Sequence, residues 1–202
     1  MAVTKSSQFR KTAEDYLTRW IVRLLARTPV APDMITWFGF FLSLGAAALI
    51  ITEHLFAAGF VVLLAGFFDM LDGGLARSTD RASRFGAVLD STLDRLAEAT
   101  LLLSIIVFYA RGGFIIGILL AGIALPGSFL VSYIRARAEG MSLKCEVGLF
   151  TRAERVIVLA LGLLLSRIDY GFLAAALGII VLFSFITASQ RLLHVWQETR
   201  KN

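Results

Sequence analysis

A chain of 202 residues, 57% hydrophobic and only 17% charged, with mean hydropathy +0.77, is too apolar for an ordinary soluble domain. Its net charge of +5 lies in clusters at segment ends, not on one recognition surface, which argues against a nucleic-acid-binding module. An integral membrane protein remains.

Residues 7–26 place Phe9, Ala13, Tyr16, Leu17, Trp20, Ile21, Leu24 and Leu25 at helical spacing, with Arg10, Lys11, Arg19 and Arg23 between them. This pattern predicts an amphipathic helix in the membrane interface. Pro32 and Asp33 then open the first spanning helix, with Asp33 expected to cap it or to accept hydrogen bonds from a ligand. The apolar run that follows lacks a small-residue cleavage site, so it is expected to stay as a spanning segment rather than leave as a signal peptide.

The apolar runs are Met34–Ile51, Leu55–Phe68, Phe85–Ala110, Phe114–Ile134, Val156–Leu165 and Tyr170–Ala188. They predict an all-α membrane protein of six transmembrane helices preceded by the interfacial helix, the second and fifth spans borrowing length from their flanks. We read a single domain over 1–202, with the six-helix bundle at 32–197. Glu53 and His54 fall in a short turn, where the histidine reads as a solvated loop residue; His194 reads the same way.

Gly112 and Gly113 break the chain after the third span. Gly113, Gly117 and Ala121 then recur every fourth residue, a spacing that permits close helix packing within one chain or across a dimer. Pro126 is expected to kink the fourth span and open polar space. The single Cys145 has no disulfide partner and no neighbouring ligand set. Basic residues crowd the N-terminus, 77–84, 135–155 and the tail, whereas the intervening loops hold Arg111 and Arg167. The positive-inside rule therefore puts both termini and the second–third connection on the cytoplasmic side of the cell membrane.

That connection carries the chemistry. Asp69 and Asp72 are three apart near the end of the second span, and Asp90 and Asp94 are four apart near the start of the third. Each pair shares a helix face. A carboxylate near a membrane-helix centre costs roughly 2.5–3.5 kcal/mol, so four together call for a compensating hard divalent cation. Gly73 and Gly74 let a phosphate-bearing ligand approach the backbone, and the forked Arg77 suits a phosphate oxygen.

Asp69-x2-Asp72-Gly73-x2-Ala76-Arg77-x8-Gly86-x3-Asp90-x3-Asp94 resembles, at every fixed position, the signature of the CDP-alcohol phosphotransferases, membrane enzymes with six spanning helices. The resemblance implies that an alcohol hydroxyl attacks the lipid-side phosphate of a CDP-linked lipid, such as CDP-diacylglycerol or an ether-lipid counterpart, and that CMP leaves. It implies two Mg²⁺ or Mn²⁺ ions held by Asp69, Asp72, Asp90 and Asp94, with Asp94 as general base. Nucleotide and diphosphate contacts are implied for Pro32, Asp33, Met34, Gly73, Arg77 and Ser83, and a homodimer for the assembly.

Ser132–Glu139, Arg152–Arg155 and Gln190–Arg191 further resemble the phosphatidylinositol phosphate synthase branch, departing from it at Arg135, where lysine is expected. This implies inositol 1-phosphate as acceptor, with Arg135, Arg155 and Arg191 binding its phosphate. The alternative acceptor is glycerol 3-phosphate, for a phosphatidylglycerol phosphate synthase. A divalent-cation transporter is the rival from another class, disfavoured because the acids cluster near one membrane face instead of lining a path across it.

Overall fold

The computed structural model describes residues 31–79 and 83–200, the side chains of 76–79 excepted. The expected interfacial helix at 7–26 lies outside the described residues. Among those described there are six helices and no strand: α1 Pro32–Ile51, α2 Leu55–Thr79, α3 Arg84–Arg111, α4 Ile115–Gly140, α5 Arg152–Leu165 and α6 Gly171–Thr199.

Four stretches are long and apolar enough to cross a bilayer: α1, Leu55–Leu75 of α2, α4 and α6. Only about a third of each is buried inside the protein, and large side chains such as Phe41, Phe60, Ile116 and Leu182 stand exposed along them. In water each would forfeit roughly 25 cal/mol per Å² of apolar surface; in hydrocarbon that penalty vanishes. The chain is a multi-pass membrane protein. Helix α3 carries Arg84, Asp90, Asp94, Arg95 and Glu98 in its first fifteen residues, and α5 has 14 residues, about 21 Å at 1.5 Å per residue.

Two compact units are distinguished, residues up to Leu42 with Leu64–Leu96, and Ser43–Leu63 with the chain from Ala97 onward. The first has a small core of Ile35, Leu71 and Leu75, with Phe67 and Phe68 packed on it. The Phe38 and Phe68 rings meet edge to face at 4.8 Å, joining α1 to α2 within this unit.

The second unit is centred on Ile50, Val62, Leu102, Ile105, Leu163 and Leu177, with α6 packed against α4 and α5. Small residues set its helix spacing. A methyl group at Gly59 would sit 2.8 Å from Leu164, and one at Gly162 2.5 Å from the Ala176 methyl. Gly117 faces the Tyr109 ring, 2.5 Å from where its own Cβ would be, and Ala121 is fully buried. The four-residue small stripe on α4 thus serves packing inside the chain, while Gly113 turns the chain at φ +68°. Helix α4 continues past Pro126 to Gly140, and Gly127 lies against Ser184 and Phe185 of α6.

The α4–α5 connection is pinned to α6. Phe150 N–H donates to Thr187 Oγ1 at 3.1 Å, Arg191 Nε to the Val147 carbonyl at 2.9 Å, and His194 Nε2 lies 3.1 Å from the Lys144 carbonyl oxygen. His194 is therefore a helical residue at a loop anchor, not the solvated loop residue expected. His54 is exposed in its turn, beside Thr52 Oγ1 at 3.2 Å. Gly148 holds φ +131°, and a Cβ there would meet the Thr187 methyl at 2.6 Å.

Backbone strain of this kind costs about 1–3 kcal/mol and an overpacked methyl a similar amount. Gly148→Ala should therefore lower the melting temperature of the detergent-solubilised protein by several degrees. Adding Thr187→Ser, which keeps the hydroxyl and removes the methyl, should recover the clash but not the backbone strain. An unchanged melting temperature for Gly148→Ala would refute this account of the loop.

Candidate active site

Within the first unit, α2 and α3 each contribute acids. Asp69 and Asp72 lie on α2 and Asp90 on α3, and one carboxylate oxygen from each falls within 4.8 Å of the others. Asp72 is 5% exposed. Its Oδ1 accepts the Gly73 N–H at 2.5 Å, while its Oδ2 is buried without a hydrogen-bond donor among the described residues. Three carboxylates at this separation repel one another, and a buried acceptor without a donor carries a desolvation cost of about 1–3 kcal/mol.

A hard divalent cation resolves both problems, since it takes carboxylate oxygens at 2.0–2.6 Å and neutralises them. The donor set fits such an ion. Asp94, half-buried one turn beyond Asp90, is outside this three-carboxylate group.

The N-terminus of α1 borders the same unit. Pro32 and Asp33 occupy the first helical positions, so Asp33 sits in the first turn and does not cap the helix from outside. A Cβ at Gly86 would lie 2.9 Å from Asp33 Oδ1 and 2.9 Å from Ser83 Oγ, and the Ser83 hydroxyl accepts the Gly86 N–H at 2.7 Å. Glycine at 86 is what lets α3 begin against Asp33. Met34 is exposed beside it, and Gly73 is partly exposed next to Asp72. The backbone of Arg77 belongs to α2; its side chain lies outside the described residues.

The second unit holds a cationic group. Helix α5 starts where the Glu154 carboxylate accepts the Thr151 N–H at 2.8 Å, a reciprocal N-terminal arrangement that fixes its first turn. The next residue, Arg155, is 2% exposed and forks onto Glu98 of α3, with Nε–Oε1 2.6 Å and Nη2–Oε2 2.9 Å. Its Nη1 is buried without a partner among the described residues.

Arg191 of α6 is 3% exposed and is held by backbone carbonyls, Nε to Val147 and Nη1 to Val131 at 2.6 Å. Arg135 is half exposed and pairs with Glu139 at 2.7 Å. Both Arg135 and Arg155 lie within electrostatic reach of Arg191. Cys145 is buried beside this group, where burial pushes its thiol up against the opposing pull of Arg191 and Arg135. Such a thiol is protonated and unreactive.

Sequence reasoning missed Glu98. It falls four residues after Asp94, which itself follows Asp90 by four, so the three acids share one face of α3. That register was the available signal.

The family model described as CDP-alcohol phosphatidyltransferase matches residues 29–190. The chain is 35% identical to the archaetidylinositol phosphate synthase of Methanothermobacter thermautotrophicus, over 96% of this chain and 95% of that one. It also resembles the crystal structure of Mycobacterium tuberculosis phosphatidylinositol phosphate synthase with CDP-DAG bound, at TM-score 0.79 and 34% identity, covering 90% of this chain and 94% of that one. The same mycobacterial enzyme in complex with manganese and citrate aligns at TM-score 0.77 and 34% identity, over 89% and 88% of the two chains. With three of the signature acids converging and the family match running from residue 29 to 190, the chain belongs to the CDP-alcohol phosphatidyltransferase family.

Proposed function

We propose that this enzyme transfers the phosphatidyl group, or its ether-lipid equivalent, from a CDP-linked lipid to inositol 1-phosphate, releasing CMP and forming a phosphatidylinositol phosphate. The observation that carries the acceptor assignment is the buried arginine group, above all Arg155 with a guanidinium nitrogen left without a partner among the described residues. The relatives' names, archaetidylinositol phosphate synthase and phosphatidylinositol phosphate synthase, support the same reading.

Asp69, Asp72, Asp90 and Asp94 would hold two Mg²⁺ or Mn²⁺ ions. When bound, the ions neutralise the diphosphate and stabilise charge on the departing CMP. Asp94 takes the acceptor hydroxyl proton as that oxygen bonds to phosphorus and the bond to CMP breaks. Arg135, Arg155 and Arg191 hold the acceptor's phosphate through charge-assisted hydrogen bonds. The Pro32-Asp33-Met34 turn, Gly73, Arg77 and Ser83 hold the nucleotide side. The same proposal includes six membrane crossings, α3 and α5 among them, the single domain over 1–202 with its bundle at 32–197, a homodimer in the cell membrane and an active site facing the cytoplasm.

Purified protein given CDP-diacylglycerol or a CDP-linked ether lipid should consume inositol 1-phosphate in preference to glycerol 3-phosphate, inositol and serine, read as product mass. A preference for glycerol 3-phosphate would replace the acceptor assignment. Arg191→Ala should raise the Michaelis constant for the phosphorylated acceptor by about thirtyfold or more, since losing one member of a buried charged contact costs about 2–5 kcal/mol. The constant for the CDP-lipid should move far less; equal shifts would remove Arg191 from the acceptor site.

A further inference from the structure

Helix α3 ends its acidic face at Glu98, one turn past Asp94. At Glu98 both carboxylate oxygens are taken by Arg155. An ion pair serving only to tie α3 to α5 would be expected to satisfy the buried guanidinium completely, since each buried donor without an acceptor is costly. Here the Nε and Nη2 edge is filled, while Nη1 has no partner among the described residues. The planar guanidinium has two edges, and fixing one by a bidentate carboxylate sets the direction in which the other points.

We propose that Glu98 is a positioning residue for the acceptor site, locking Arg155 so that its remaining edge is presented to the phosphate of the acceptor alcohol. This rests on the assignment of Arg155 to that phosphate. Glu98 does not touch substrate; it removes the rotamer freedom that a long side chain otherwise loses on binding. It also offsets one of three converging positive charges before the phosphate arrives.

The test compares wild type, Glu98→Gln, Glu98→Asp, Arg155→Ala and the Glu98→Gln/Arg155→Ala double variant, reading CMP release against inositol 1-phosphate and against CDP-lipid, with melting temperature in detergent. Glutamine presents an amide donor to one arginine N–H, so the fork is lost; the acceptor Michaelis constant should rise about tenfold or more, the scale seen when a residue orienting a binding group is removed. The CDP-lipid constant should change less than about twofold, and the double variant should match Arg155→Ala within about twofold, because Glu98 acts only through Arg155.

Glu98→Asp keeps the charge, folds without stranding a buried cation, and should give a smaller rise in the same constant. Equal shifts for both substrates, additive effects in the double variant, or a folded Glu98→Asp with a wild-type acceptor constant would overturn the positioning role. If Arg155→Ala leaves the acceptor constant unchanged, the acceptor-site reading falls and this inference with it. An effective Arg155→Ala beside silent Glu98 variants overturns the positioning alone.

Discussion

Asp72→Asn is expected to lower CMP release by about a thousandfold or more while raising the melting temperature of the metal-stripped protein. Both effects come from the same carboxylate. Asp72 is the most buried of the three converging acids, with one oxygen accepting the Gly73 N–H and the other without a donor among the described residues. Without a cation, an anion there repels Asp69 and Asp90 and has lost its hydration, so a neutral side chain of the same shape relieves strain on folding.

With a cation the sign reverses. A ligand that binds only the folded protein stabilises it by about 2.7 kcal/mol at a hundred times its dissociation constant. Asp72→Asn should lose most of that gain, so Mn²⁺ or Mg²⁺ should shift the melting temperature of wild type far more than that of the variant. A metal clamp on a transferring phosphoryl group supplies several kcal/mol of transition-state stabilisation, and about 4 kcal/mol corresponds to a thousandfold in rate. Wild-type metal response and turnover in Asp72→Asn would refute the acidic group as the metal site. So would undiminished turnover of wild type in excess chelator.

Much of this architecture was legible because apolar runs mark where a helix meets hydrocarbon. Helices α1 and α3 depart from their predicted runs by two residues or fewer at either end, and α4 begins within one residue of its run. The helices outrun their apolar runs, as expected for the second and fifth spans. Helix α2 continues from Phe68 to Thr79, α4 from Ile134 to Gly140, and α6 from Ala188 to Thr199, while α5 starts four residues before Val156. Helical hydrogen bonding does not stop where hydropathy drops, so apolar length alone does not fix where a helix ends.

Those polar ends carry Asp69, Asp72, Arg135, Arg155 and Arg191. The acids were still found, because three- and four-residue spacings report a helix face without any tertiary knowledge. The setting of the arginines was not. That Arg155 is forked by a glutamate 57 residues earlier, and Arg191 held by carbonyls 44 and 60 residues earlier, depends on packing that no local pattern encodes. The same holds for Cys145, which sits in a polar stretch of sequence and is buried all the same.

Asp94→Asn is expected to separate chemistry from binding. Asparagine has the shape of aspartate but cannot accept the acceptor's hydroxyl proton, and a positioned base contributes about 10²–10⁴-fold to such a step. An alcohol is too weak an acid to ionise first at neutral pH, so proton removal and attack on phosphorus must occur together. Asp94 lies one turn from Asp90 on α3 and outside the three-carboxylate group at 4.8 Å. Its neutralisation should therefore weaken the metal-induced rise in melting temperature less than Asp72→Asn does. The Michaelis constants for both substrates should stay within about threefold, whereas kcat falls by about 10²-fold or more, the pattern of an interaction made only in the transition state. Turnover within a few-fold of wild type would remove Asp94 as the base. Loss of the metal response equal to that of Asp72→Asn would instead make it primarily a ligand, leaving the acceptor proton to another group.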